Sequence, residues 1–427
     1  MVKTVHWFGG LSFMAVWLAS VVSLQGNAFG ERLNYRFSLF TESYHNWLND
    51  TPLNKDNELL PQIRYGSYSS ADLFLNHGRF TTAIKALAHY TDRDASAYRA
   101  IIRELYFDHE FGGSFHITIG KKILKWGTGY AFNPCGVIEP SRQASDPSDR
   151  REQYQGRQIL AFDAFSGNRS FTLLYANESR YRDTFHRGKH ELASRIYALV
   201  RGVDLSLISH WKEEEKFKLA VSTAYTYGTH IELHSELIGQ MGSTKQYHLV
   251  LNDPNFQPTP HSSSYIARYQ HSNKIFPRLL VGVQYTFDNG ISLMIEYFYN
   301  REGLTHQEWQ RWRKFVLTQV DAMTTAPPDP LSFKHFYDAL MTLDRSGSMR
   351  HYGFCRGYWP QQRFGLELLL LNNLVDGSGV GVMTFNYVMR TNFTGWIRGE
   401  FYAGRRASEF GSLFFRSAMF LGAKYSF

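Results

Sequence analysis

Eleven basic side chains fall on the polar phase of segments that alternate apolar and polar residues. They are Arg36, Lys85, His89, His116, Lys122, Arg195, Lys218, Arg363, Arg398, Arg416 and Lys424, and Glu42, Glu367 and Glu400 share their phase. Such a set encodes no bond-making chemistry. Rows of cations around a water-filled passage attract anions and replace part of their hydration by charge-assisted hydrogen bonds. Paired with carboxylates across a wall, the same cations would instead fill the interior with a hydrogen-bonded lattice. Spacing alone leaves both readings open.

Catalytic patterns are scarce. The chain has no HExxH zinc motif, no Walker phosphate loop and no GxSxG. Its seventeen histidines give no pair at convincing ligand spacing on a common face, and His186 and His190 stand in a predicted loop. No metal or other cofactor is expected, and the chain reads as a non-enzyme. A hydrolase whose triad comes from separate strands is the enzymatic alternative. Cys135 and Cys355 would allow one disulfide in an oxidising compartment, and the sequence leaves their pairing open.

The elements that must position these residues are strands. Met419, Leu421, Ala423, Tyr425 and Phe427 alternate with Phe420, Gly422, Lys424 and Ser426, a period of two with one apolar face. In water, a terminal strand of this kind exposes an aggregation-prone edge. In a closed membrane barrel it pairs with the first strand and has no edge. About 18 such segments (16–20) have the length that a tilted membrane strand needs. The count turns on 239–278, where Tyr265-Ile266-Ala267-Arg268-Tyr269 could add strand.

Every second connection is short, as at Gly78-Arg79, Gly167-Asn168, Arg201-Gly202 and Tyr227-Gly228. The alternate connections include long ones near 45–68, 123–156, 177–190, 239–278 and 301–348. This is the asymmetry of short periplasmic turns and long extracellular loops. The fold class is therefore all-β, a transmembrane antiparallel barrel. Two segments resist the pattern: 98–109 puts Arg103 in phase with Ile101 and Leu105, and 349–358 mixes Arg350 and Arg356 with Tyr352 and Phe354. An arginine at lipid mid-depth costs about 2–4 kcal/mol, so bulges or shifted depth are expected in both. A helical insertion is expected near 305–343, where Trp309, Trp312, Val316, Val320 and Met323 recur at helical spacing before Pro327-Pro328. It reads either as a lid or plug, or as a helical pair packed on the barrel rim.

Composition agrees with a barrel. Aromatics reach 16% of the chain, yet mean hydropathy is only −0.35, as suits lipid- and water-facing residues at alternate positions. Residues 1–30, with Lys3 ahead of an apolar run from Trp7 to Leu24 and small residues after it, read as a signal peptide. Residues 31–427 are then the barrel. The net charge of +8 would ordinarily raise nucleic acid as a partner, but export argues against it. Expected partners are outer-membrane lipids, lipopolysaccharide, and the barrel-assembly machinery through the terminal Phe427.

One loop stands out. Trp126, Gly127, Gly129, Asn133 and Pro134 are followed by Asp146-Pro147 and then Arg150. Glycines that allow tight excursions and prolines that force turns describe a structured loop, expected to fold inward as a constriction. The run Ile117-Thr118-Ile119-Gly120-Lys121-Lys122 leading into it, with Arg150-Arg151 after it, resembles porin-like proteobacterial outer-membrane barrels long catalogued as a domain of unknown function. Tyr285-Thr286-Phe287-Asp288-Asn289-Gly290, Glu296-Tyr297-Phe298-Tyr299-Asn300 and Glu302-Gly303 are similar to that family too. Cys135, and Gly136 where an acidic residue is common, depart from its pattern. The resemblance implies an outer-membrane channel or transporter, with an inner-membrane exporter of hydrophobic molecules as a partner. The expectation is thus a cation-lined, anion-leaning channel gated by 123–156 and 301–348. The alternative is a surface-structural or ligand-binding barrel with a plugged lumen.

Overall fold

The computed structural model describes residues 33–54, 62–93, 97–140, 142–178, 189–213, 217–243, 246–251, 266–268, 274–324, 330–343 and 347–427. The expected signal peptide and the His186 loop lie outside the described residues. Strands come first in uninterrupted succession: β1 (Asn34–Leu48), β2 (Tyr65–His77), β3 (Phe80–Thr91), β4 (Ala97–Phe111) and β5 (Phe115–Lys122). Then follow β6 (Arg157–Ser166), β7 (Arg169–Glu178), β8 (Lys189–Val200), β9 (Val203–Lys212), β10 (Lys218–Tyr227) and β11 (Ile231–Met241). Two short strands, β12 (Gln246–His248) and β13 (Ile266–Arg268), pair only with each other. β14 (Ile275–Thr286) and β15 (Ser292–Asn300) lead to helices α1 (His306–Thr324) and α2 (Pro330–Met341). β16 (His351–Pro360), β17 (Phe364–Asn373), β18 (Gly379–Arg390), β19 (Phe393–Ala403) and β20 (Phe415–Ser426) complete the chain.

β1–β11 and β14–β20 form one antiparallel sheet of 18 strands. β1 pairs with β2 on one side and β20 on the other, so the sheet is a closed barrel. Among the described residues, the ambiguous stretch before β14 adds no barrel strand. Its segment 266–268 lies in the loop hairpin instead. At the chain's end the Phe427 amide donates to the Phe37 carbonyl, and the Phe427 ring sits 5.3 Å from that of Phe37. The tight turns have positive backbone φ where hairpin twist requires it, as at Arg201 (50°) and Gly202 (81°).

The sheet's outer face is apolar. Leu173, Ile196, Leu207, Val221, Leu237, Ile295 and Leu368 are all exposed there. Exposed rings form two levels around them: Phe80, Phe115, Tyr227, Phe287 and Trp359 toward the short turns, and Trp47, Tyr65, Tyr98, Trp211 and Phe401 toward the long loops. That is the aromatic girdle of a membrane barrel. No helix among the described residues is long and apolar enough to cross a membrane.

The two irregular segments resolve differently. In β4, register with β3 slips so that Ala83 opposes Glu104 while Ile84 opposes Ile102. Arg103 is the extra residue of this bulge, and its guanidinium reaches Glu152 at 2.7 Å instead of lipid. β16 keeps regular register, without the bulge that was one of the two expected outcomes. Its Tyr352 and Phe354 are buried inside the barrel in phase with Arg356, because loop and helix side chains fill the lumen there. Gly353, Cys355 and Gly357 take the outer phase. Cys135 lies inside, so the two cysteines remain free.

The outward phase makes a direct prediction. Leu368→Arg, placing a charge midway along the lipid face of β17, should destabilise the barrel by about 2–4 kcal/mol in urea titrations within lipid. An unchanged midpoint would show that this face does not contact hydrocarbon.

Candidate functional site

The loop 123–156 leaves β5 and enters the lumen, where carboxylates receive its backbone amides. Glu139 accepts from the amides of Trp126 and Gly127. Glu236 of β11 accepts from the amides of Thr128, Gly129 and Cys135, and from the Thr128 hydroxyl. Glu296 of β15 accepts from the Tyr130 and Ala131 amides at 2.5 and 2.8 Å, with His234 Nε2 3.0 Å away. Gly129 is required by crowding: a Cβ there would sit 2.2 Å from the Phe132 carbonyl and 3.0 Å from Leu280. Seven amides between Trp126 and Cys135 thus meet a carboxylate acceptor, the strong form of the hydrogen bond.

Apolar contacts fix the same segment. Trp126, Cys135 and Ile138 pack on inner-wall residues that include Ala161, Ala176, Ala193 and Ala220. These small side chains leave room for the loop. Phe132 stacks on Phe298 at 4.2 Å and approaches Tyr352 at 5.8 Å. Burial, with Glu236 beside it, pushes the Cys135 thiol far above its ordinary range. Burial also raises the Tyr130 hydroxyl to about 12, with Glu367 adding to the effect.

The loop's second half is held by ion pairs. Arg150 and Arg151 converge on Glu42 at 2.9 and 2.7 Å, and the Trp396 indole donates to the same carboxylate at 3.0 Å. Arg398 pairs with Glu400 at 2.7 Å and approaches Asp146 at 3.8 Å. Glu152 links Arg103 and Lys424. Asn133 donates to Glu139 at 3.1 Å, while Pro134 lies in the turn that brings the Gly136 amide to the Asn133 carbonyl.

The other candidate lining residues are distributed unevenly. Lys85 is buried and pairs with Asp72 at 2.7 Å, and Lys122 pairs with Asp108 at 3.0 Å. Glu367 binds Arg356 at 2.6 Å. His116 stands between Asp108 and Asp163 at 3.8 and 3.6 Å, and His89 bonds the Tyr44 hydroxyl at 3.0 Å. Lys218 occupies the inward phase of β10, opposite His210 and Gln240. Arg36 lies over the Phe74 ring. Arg195 donates to the Ser206 hydroxyl and lies over Tyr197. Two positions differ from expectation. Arg363 is exposed in the turn before β17, because that strand begins only at Phe364. Arg416 is the extra residue of a bulge against Trp47 and Leu48 and lines a groove on the outer wall.

Burial grades along the lumen. Glu42, Glu236 and Glu296 at loop level are essentially inaccessible. Toward the short turns, Asp108, His116 and Asp163 keep 29, 26 and 21% exposure, so water reaches that end. There Arg36, Asp72, Arg103, Glu104 and Glu152 line a polar cavity of about 210 Å³. At the other end the helices cap the packed loop. Trp309 and Trp312 stack at 5.0 Å, and Trp312, Val316, Val320 and Phe336 are buried with Phe132 in one apolar cluster. The helical pair thus packs on the inward loop and on the inner-wall residues around it.

Spacing assigned no anchoring role to Glu236, Glu296, Glu139, Asp72, Asp108 or Arg151. A signal was present for the first two. Each is an acidic residue on the inward phase, between outward Leu233 and Leu237 or next to outward Ile295 and Tyr297.

The fold is that of a porin barrel. Among solved structures the chain is similar to the crystal structure of Acinetobacter baumannii OccAB1, with a TM-score of 0.54 at 7% identity. That match covers 92% of this chain and 96% of the other. A triple mutant of the Rhodopseudomonas blastica porin aligns over 93% of this chain and 100% of its own, at 8% identity and a TM-score of 0.43. No family model matches the chain, and no curated protein matches it.

Two measurements test the anchors. Glu236→Ala strips three loop amides of their acceptor and should cost at least about 3 kcal/mol of loop stability. Hydrogen exchange at Thr128, Gly129 and Cys135 reports it, and unchanged protection would contradict the assignment. In the 404–414 connection, burial raises Glu409 from an ordinary 4.5 to about 7, although Ser348, Tyr352 and Asn373 donate to it. Its folded pKa exceeds its unfolded one, so its contribution is complete below about 4.5 and is lost as pH rises through about 7. The protection factor at Ser348, which removes the intrinsic base-catalysed rate, should therefore fall between pH 5 and 8 in the native chain, while Glu409→Gln flattens that dependence.

Proposed function

We propose that the chain is an outer-membrane channel for small solutes, held in a restricted state by its inward loop and helical cap. The supporting observation is the combination of a lipid-compatible outer face with the 123–156 loop anchored across the lumen by Glu236 and Glu296. A barrel that served only as a surface scaffold would not require so many buried carboxylates to aim one loop at its interior. The water-accessible end is the vestibule. Its cations mostly face carboxylates, so ordinary cation crowding is not the source of selectivity. The anion lean rests on Arg36 and Arg195, which lie over Phe74 and against the Ser206 hydroxyl and, among the described residues, form no salt bridge to a carboxylate. These guanidiniums would hold an anionic group by field and by bidentate donation. An inner-membrane exporter partner remains part of this proposal only through the family resemblance.

A second reading is supported by the packing at loop level. Wall, loop and helices there form a continuous apolar cluster, which suits a plugged barrel whose long loops bind a ligand. Conductance of the purified protein in planar bilayers separates the two. The channel reading expects discrete steps, larger after residues 305–343 are deleted. Absence of steps in both forms would favour the plug. The double variant Arg36→Gln, Arg195→Gln should lower the anion-to-cation permeability ratio several-fold, by loss of about 1–2 kcal/mol of anion stabilisation. A ratio equal to the parent's would remove these residues from the solute path.

A further inference from the structure

We infer that the outer wall at the long-loop end carries a binding groove for a phosphate-bearing lipid. Gly399 of β19 brings no side chain to an otherwise bulky lipid face, where the Phe401 ring leans to 3.0 Å from the place its Cβ would take, and it lines a groove of about 610 Å³. Trp47, Met383, Phe401 and Met419 wall it, and all four are exposed large apolar side chains. A hydrocarbon chain fits such walls, and in a bilayer nothing else is there to fill them.

The upper end of the groove is charged. Register between β1 and β20 skips Arg416, so this residue bulges from the ladder with its side chain exposed at the groove. A bulge re-aims a side chain that would otherwise point along the regular phase. The connection above it adds Arg405 and Arg406, the latter 75% exposed and 3.9 Å from Asp50. Arg416 at the trough, with Arg405 and Arg406 in the connection that joins β19 to β20, matches a headgroup phosphate above an acyl chain. Guanidinium donors recognise phosphate bidentately, and juxtamembrane cations attract anionic lipids. This inference rests on the barrel standing in a bilayer and not on conduction, so a silent barrel would leave it intact.

Native mass spectrometry of the full chain tests it with three probes: phosphatidylglycerol, phosphatidylcholine of identical chains, and inorganic phosphate as competitor. The native protein should retain phosphatidylglycerol in preference to phosphatidylcholine. Arg416→Gln should weaken that retention about fivefold, as for loss of one lipid-facing cation, with Arg416→Lys restoring part of it. Gly399→Leu, which fills the trough, should weaken retention of both lipids. Heat-modifiable migration on gels checks that each variant is folded. Equal retention of the two lipids, or an Arg416→Gln variant indistinguishable from the parent, overturns the proposal. So does displacement of phosphatidylglycerol by inorganic phosphate, which would mark a bare anion patch, or a Gly399→Leu variant that binds as before.

Discussion

A backbone amide without an acceptor is the constraint around which this molecule is organised. In hydrocarbon no water can satisfy it. The barrel answers by closing β1 on β20, so that each strand has a neighbour on both sides. Within the lumen the same problem recurs in a different form. The 123–156 loop cannot use a ladder, and its amides are met by Glu139, Glu236 and Glu296. Removing water from those carboxylates is costly unless several donors converge on each, and here several do.

That arrangement joins wall to loop and loop to function. Alanines on the inner wall admit Trp126 and Ile138, while glycine at 129 lets the chain approach Leu280. On the opposite side Glu42 gathers Arg150, Arg151 and Trp396. The loop is therefore fixed from three directions: by amide–carboxylate bonds, by apolar packing and by ion pairs. Helix α1 then buries Trp309 and Trp312, and α2 buries Phe336, against the same filling. The lumen becomes progressively wetter toward the short turns, where the proposed solute contacts lie.

The lipid face and the lumen obey opposite rules in one strand. In β19, Ile397 and Phe401 are exposed outward while Trp396, Arg398 and Glu400 are buried inward. Arg103 shows how an exception is handled. One extra residue shifts its phase, and the guanidinium finds Glu152 in place of hydrocarbon. β16 shows a different solution, since its aromatics turn inward because a packed loop, rather than water, waits there.

Strand number, turn parity, the closing strand and the presence of a helical insertion were legible in the sequence because each depends on local periodicity. Period two assigns a face before any partner is known. Partner identity was not legible. Lys122 and Arg398 read equally well as lining cations or as partners in a lattice until Asp108 and Glu400 appeared beside them, and Arg416 read as inward until a bulge displaced it. Glu236 meets the Gly129 amide across 107 residues, a separation over which no spacing rule operates. Local chemistry determined which side of the wall each residue faces, and tertiary structure alone decided which charges neutralise one another, because that depends on how a non-repeating loop is laid across a closed cylinder.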